Sequence, residues 1–335
     1  MKFYKLLFFL TMILGTLISI SSYSWLGMWI GLEINLISIL PLFSMYNNMY
    51  SSEASIKYFL TQTLASILIL MSIIALSLNS CLFLKLSLNF NLILNSALLT
   101  KMGSAPFHFW FPEVAEGLNW SNNLIILTWQ KIAPMILIMY NSNISYFFLM
   151  IILSCMIVSS IMGFNQISLR KILTFSSINH IGWMISALLF SKMIWLIYFI
   201  IYSIITMNII LIFNKFKMFF INQLNTIFNQ NPNLKNFFMM NFFSLGGIPP
   251  FLGFLPKWLV INNLVNNKQF FLVFLMIMFT LITFYFYMRI MFSSLILNFN
   301  TSSLKQISLN NFMIMFFNFI SLSTLLIFPI FWNFI

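Results

Sequence analysis

Four charged side chains lie inside apolar stretches that water cannot readily enter. They are Glu33 in WIGLEINLISIL, Lys101 in LLTKMGSAPFHFWFPEVAE, Lys131 in LTWQKIAPMILI and Lys257 behind SLGGIPPFLGFLPKW. An ion at mid-bilayer depth costs roughly 2.5 to 3.5 kcal/mol on insertion scales, so a charge kept there marks a functional position. The chemistry open to these groups is proton transfer. A lysine in a low-dielectric setting holds its proton less tightly, and a neighbouring carboxylate restores the affinity. A row of such groups joined by water can therefore pass protons, each charge state biasing the next.

Glu33 and Lys101 are the acid and base of comparable depth in the first half of the chain, and they are expected to pair. With the pair opened, the Lys101 proton could pass to Lys131 and then to Lys257. His180, in FSSINHIGWM, could join the row because histidine titrates near neutrality, although a packing histidine fits as well. The structural alternative for Glu33 and Lys101 is a salt bridge that only pins helices. Glu53, Lys57, Glu113 and Glu116 fall at expected helix ends and read as solvated capping or loop charges.

The elements that must hold these groups follow from hydropathy. Of 335 residues 61% are hydrophobic and 6% charged, and the mean hydropathy is +0.99, which excludes a soluble domain. Apolar runs near 20 residues long point to membrane-spanning helices and not to the short alternating strands of a barrel. The fold class is therefore all-α, a polytopic membrane protein of about eleven segments. They run approximately 3–22, 24–46, 56–79, 88–110, 119–140, 145–164, 170–190, 192–213, 239–264, 270–294 and 310–334. The stretch from Asn214 to Phe238 could be an interfacial helix or an irregular loop.

Two segments should be broken. Pro106 removes a backbone N–H and clashes with the carbonyl near Met102, so the fourth should break beside Lys101. In the ninth, two glycines with Pro249, Pro250 and Pro256 precede Lys257. Five segments separate the two breaks, so 1–140 and 145–294 can be read as two five-helix repeats, the second inverted, followed by a last helix at 310–334. Transporters built in this way use unwound helices to supply polar backbone at mid-membrane.

The remaining composition narrows function. Aspartate is absent, and the excess of +12 charges sits mostly in loop lysines dispersed along the chain. That distribution suits anionic lipid and membrane orientation, and gives no support to nucleic-acid binding. Lys2, Lys5, Lys57, Arg170, Lys171, Lys215, Lys217, Lys235 and Lys305 fall on the N-terminal side, against Lys85, Lys192 and Lys268 on the other. The N-terminus is thus expected on the positive-inside face, and the lysine-flanked apolar start, which has no A-x-A-like cleavage site, reads as a retained first helix. Arg289 lies near a segment end and can snorkel. Cys81 and Cys155 have no metal-ligand spacing and read as small buried hydrophobes. No nucleophile–base set, phosphate loop, dinucleotide fingerprint, or haem or iron–sulfur ligand pattern is present, so neither a metal nor redox chemistry is expected of this chain.

The stretches SWLGMWIGLEINLISILPL, EASIKYFLTQTLAS, LLTKMGSAPFHFWFPEV, LTWQKIAPM, SSINHIGWM and SLGGIPPFLGFLPKW, in this order and spacing, resemble the antiporter-like membrane-arm subunits of mitochondrial respiratory complex I in their insect-like form. The resemblance extends to about Ile290; the last forty residues share only hydrophobicity. It implies eleven helices, corresponding to a bacterial fourteen-helix relative without its first three. It also places family proton-relay positions on Glu33, Lys101, Lys131 and Lys257. By the same resemblance FMN, iron–sulfur clusters and ubiquinone belong to other subunits, the partners are further membrane-arm subunits and phospholipids such as cardiolipin, and the location is the mitochondrial inner membrane, where the lysine and arginine count and an odd number of segments put the N-terminus in the matrix and the C-terminus in the intermembrane space. A free-standing cation/proton antiporter would share buried lysines and inverted repeats. A sodium site would be expected to need an intramembrane carboxylate beyond Glu33, which weighs against it, and a scaffold alone would not need four deep charges.

Overall fold

Hydropathy this high leaves the backbone no partner but itself, and most of the described chain is helical. The computed structural model describes residues 3–44, 48–79, 86–142, 145–228, 232–249 and 251–296. Its helices are α1 (Phe3–Ser21), α2 (Trp25–Phe43), α3 (Met49–Asn79), α4 (Leu86–Met102), α5 (Trp110–Gly117), α6 (Trp120–Leu127), α7 (Trp129–Tyr140), α8 (Ser145–Phe164), α9 (Leu169–Phe190), α10 (Lys192–Phe216), α11 (Ile221–Phe228), α12 (Pro232–Gly246), α13 (Phe254–Asn266) and α14 (Phe270–Ile296). Among the described residues no strand forms; Ser168 and Phe220 meet in an isolated antiparallel bridge.

Among the described residues eight spans are long and apolar enough to cross a membrane: α1, α2, α3, α6 with α7, α8, α9, α10 and α14. The fourth and ninth expected segments are each divided in two. The fourth ends at Met102 and resumes as α5 at Trp110; the ninth ends at Gly246 and resumes as α13 at Phe254. The stretch after Asn214 contains a short helix, α11. The eleventh expected segment, Cys81 and Pro250 lie outside the described residues.

The contacts form two compact units, Met1–Ile151 and Ile152–Ile335. In the first, α2 packs on α1 and α3, α3 on α4 and α5, and α7 on α1, α4 and α6. The exposed Leu6, Leu10, Leu14 and Leu17 line one side of α1, as a lipid-facing stripe should. Gly15 and Ser19, off that stripe, meet Gly31 and Asn35 of α2 main chain to main chain. A Cβ on Gly31 would fall 2.5 Å from the Ser19 nitrogen, and one on Gly15 2.8 Å from the Asn35 nitrogen. Gly15 and Ser19 on α1 and Gly31 on α2 are the small residues that permit this approach.

In the second unit, α9 packs on α10 and α13, α10 on α12 and α13, and α14 on α11, α12 and α13. Helix α9 is buried along nearly its whole length. An aromatic cluster of Phe213, Phe238, Phe242 and Tyr287 ties α10, α12 and α14 together. Arg289 donates to the carbonyls of Phe164 at 2.7 Å and Gln166 at 2.6 Å, capping the end of α8, a more specific role than snorkelling.

Candidate functional site

Each break is made by the same backbone device. In the first, Gly103 adopts φ +72°, its N–H bonds to the Thr100 carbonyl and that of Ser104 to Leu99. In the second, Gly247 adopts φ +77°, its N–H bonds to Ser244 and that of Ile248 to Phe243. Both are glycine-terminated Schellman ends, in which the left-handed residue turns the chain out of the helix. The glycines stop the helices, and Pro106 and Pro249 then occupy the gaps and keep the helices from restarting. Pro256 does not interrupt a helix as the sequence suggests. It lies in the first turn of α13, where a missing N–H removes no helical bond.

Lys101 stands two residues before the first turn glycine and is 6% exposed. The pairing expected with Glu33 is not a contact. Among the described residues neither has an ion-pair partner within 4 Å, and the Glu33 Oε1 is buried without a hydrogen-bond partner. Lys101 feels the Glu33 charge through space only. The reason lies in α3, which packs on both α2 and α4 and brings Tyr58 and Gln62 beside the lysine.

Between Lys101 and Gln130 is a cavity of about 10 Å³, room for about one water. Its walls include Asn35 of α2, Tyr58 and Gln62 of α3, and Gln130 and Pro134 of α7. Gln130 and Asn35 form a reciprocal amide pair, with Nε2 donating to the Asn35 Oδ1 at 3.0 Å and Nδ2 donating back at 3.3 Å. The Tyr58 hydroxyl donates to the Gln130 Oε1 at 3.4 Å. Gln62 donates to the Lys101 carbonyl at 3.4 Å. Sequence reading passed over these four residues. The signal available was polar amides inside apolar segments, Gln130 next to Lys131 most clearly.

Lys131 follows a third interruption. Helix α6 ends at Leu127, Thr128 is a distorted right-handed residue at φ −117° and ψ −69°, and α7 begins at Trp129. The Thr128 hydroxyl donates to the Leu124 carbonyl at 2.7 Å, and Pro134 has no N–H for the Gln130 carbonyl. Lys131 is 1% exposed, with its Nζ 5.9 Å from the centre of the Phe111 ring.

In the second unit Lys257 is 7% exposed and in the first turn after the break. Its ammonium donates to the Gly246 carbonyl at 2.7 Å and lies 3.5 Å from that of Leu245. These are the last carbonyls of α12, the negative end of its dipole. The stem passes over Gly247, where an added Cβ would meet the Lys257 Cδ at 2.8 Å. Trp183 of α9 lies with its ring centre 6.0 Å from the ammonium. His180, one turn before Trp183, is buried; its Nδ1 is 2.9 Å from the Tyr198 hydroxyl, and its ring packs on Tyr202. Glu53, Lys57 and Glu113 form an exposed cluster, Lys57 reaching Glu53 at 2.9 Å and Glu113 at 2.8 Å.

Residues 22–283 match a family described as NADH:quinone oxidoreductase/Mrp antiporter, TM. The chain is 52% identical over 327 residues, 96% of each sequence, to NADH-ubiquinone oxidoreductase chain 2 of Aedes aegypti. To the protein of the same name from Anopheles gambiae it is 50% identical over 326 residues, 95% of each. The chain belongs to the NADH-ubiquinone oxidoreductase chain 2 family. Its fold is that of a chain in respiratory complex I from Thermus thermophilus with bound aureothin, at a TM-score of 0.87 and 21% identity, covering 97% of this chain and 78% of that one. Family membership agrees with the sequence resemblance, and every member named here carries an oxidoreductase name.

Proposed function

We propose that the chain is a membrane-arm subunit of a mitochondrial NADH:ubiquinone reductase, in which Glu33, Lys101, Lys131 and Lys257 carry protons while electrons move on other subunits. One observation carries the reading: each of the three buried lysines lies within four residues of an interruption in a membrane helix, two before Gly103, three after Thr128 and four after Gly253. Interrupted helices expose carbonyls and N–H groups that can hold water or an ammonium at membrane depth, which unbroken apolar helices cannot do. Electron carriers such as FMN, iron–sulfur clusters and ubiquinone fall to partner subunits, in keeping with the relatives' name and with a sequence lacking their ligand patterns.

The same reading takes helices 1–5 and 6–10 as inverted repeats, with the N-terminus in the matrix, the C-terminus in the intermembrane space, and cardiolipin among the surrounding lipids. On this reading His180, whose Nδ1 is 2.9 Å from the Tyr198 hydroxyl, joins the row as a further titratable group. The deciding experiment is Lys101→Met in the assembled complex reconstituted in vesicles. Normal migration on native electrophoresis and retained NADH oxidation, together with lost proton uptake, are expected. Full proton uptake in an assembled Lys101→Met complex would overturn the relay, and failure to assemble would assign Lys101 a purely structural role. Migration of the wild-type chain alone or as a small oligomer, and not with a large redox complex, would favour the free-standing antiporter.

A further inference from the structure

We propose that Gln130 is a positioning residue that holds a single water between Lys101 and the helix bearing Lys131, so that the Lys101 proton leaves through an amide-lined site and not through direct contact with Glu33. The inference rests on the relay reading above and adds to it a site and a residue. Its basis is geometric. The cavity beside Lys101 has room for about one water, and Asn35, Tyr58, Gln62 and Gln130 share its wall with the lysine. The Lys101 ammonium reaches no carboxylate within 4 Å. A buried ion with no protein partner is normally satisfied by ordered water.

An aromatic ring packs on the turn that follows Lys101. Phe111 packs on Gly103, where an added Cβ would meet the Phe111 Cβ at 3.0 Å, and its ring lies beneath the Lys131 ammonium. A phenyl ring can neither accept nor deliver a proton. The polar side chains that share a wall with Lys101 are those of the cavity.

The residue types suit the task. Amides donate and accept hydrogen bonds but do not titrate near neutral pH, so they orient a water without trapping the proton it carries. Gln130 is itself held from two sides, by Asn35 reciprocally and by Tyr58. Tyr58 is wedged edge-on between Phe43 at 5.2 Å and Trp110 at 5.7 Å between ring centres, and the Trp110 Nε1 donates to the Thr100 carbonyl at 3.1 Å across the break. The amide is thereby tied to the same turn that places Lys101. In the step itself an N–H bond of the Lys101 ammonium breaks as an O–H bond forms on the water. The water then gives up a proton that ends on the Lys131 amine, so that one proton has moved and the water is restored.

The test compares Gln130→Leu, Tyr58→Phe and Lys101→Met in the assembled, vesicle-reconstituted complex, reading NADH oxidation, protons moved per NADH, and an experimental density map of the wild type. Gln130→Leu should retain assembly and NADH oxidation and lose proton movement as Lys101→Met does, with Gln130→Asn recovering part of it. Tyr58→Phe, which keeps the ring packing, should lower the yield less. The map should contain a water within hydrogen-bond distance of the Lys101 Nζ and the Gln130 amide. If Lys101→Met abolishes proton movement while Gln130→Leu pumps as wild type, Gln130 has no such role and the relay survives without it. If Lys101→Met pumps normally, the relay itself fails. Should Gln130→Leu not assemble, a wild-type map without that water overturns the proposal, and a map containing it, with a lowered yield in Tyr58→Phe, upholds it.

Discussion

The two broken helices end in the same turn yet treat their lysines in opposite ways. Around Gly103 and Gly247 the two Schellman bonds correspond, the Gly247 N–H also reaching the Phe243 carbonyl, and ten residues beyond each glycine stands a charged side chain: Glu113 after the first, Lys257 after the second. Lys257, coming after its break, folds back and donates to the carbonyl end of the half-helix before it. Lys101, coming before its break, belongs to the half-helix whose carbonyls already receive the turn's N–H groups, and its ammonium faces a cavity instead. Glu113, at the position matching Lys257, would be repelled by a carbonyl end and turns to Lys57 at the surface. The side of the interruption on which a lysine falls thus decides whether peptide oxygens or a cavity lie beside it.

The sharpest way to break that comparison is to remove both ammonium groups in turn. Lys257→Met and Lys101→Met are each expected to stop proton movement. Thermal denaturation of the assembled complex should separate them, because only Lys257→Met leaves a carbonyl without its donor, a difference of about 1 to 3 kcal/mol. Equal melting of the two variants would mean that the Gly246 bond contributes nothing.

Next in size come the turn glycines. Gly103→Ala and Gly247→Ala each place a side chain in the left-handed region at a cost of about 1 to 3 kcal/mol, and assembly yield on native electrophoresis should fall in both. Only Gly247→Ala should also impair proton movement in the complex that does assemble, since its Cβ meets the Lys257 stem and not a ring. The smallest effect belongs to Glu113→Gln. Loss of an exposed ion pair changes stability little, and the change should vanish in high salt. A large loss of proton movement in that variant would mean that Glu113 serves as more than a surface charge.

Much of this arrangement was legible in the chain. Depth along an apolar run is a one-dimensional property, so Glu33, Lys101, Lys131 and Lys257 could be picked out by counting residues, and glycine and proline marked the two larger breaks. The pairing of Glu33 with Lys101 could not be read in the same way. It depends on how α2, α3 and α4 are rotated against one another, which hydropathy does not encode when nearly every face is apolar. The hitch at Thr128 was hidden because threonine in a helix is unremarkable until its hydroxyl takes the carbonyl four residues back. Asn35 escaped notice because the chain is rich in asparagine throughout, and only its partner on α7 distinguishes it.

The crossing of α1 and α2 at Gly15 and Gly31 bears on how this half of the molecule can work. With main chains this close, α2 cannot tilt or slide past its neighbour without atoms interpenetrating, so Glu33 and Asn35 ride on a fixed rail. A carrier that opens alternately to either side of a bilayer needs such helices to rock. Any movement of α2 therefore carries α1 with it, as one closely packed pair.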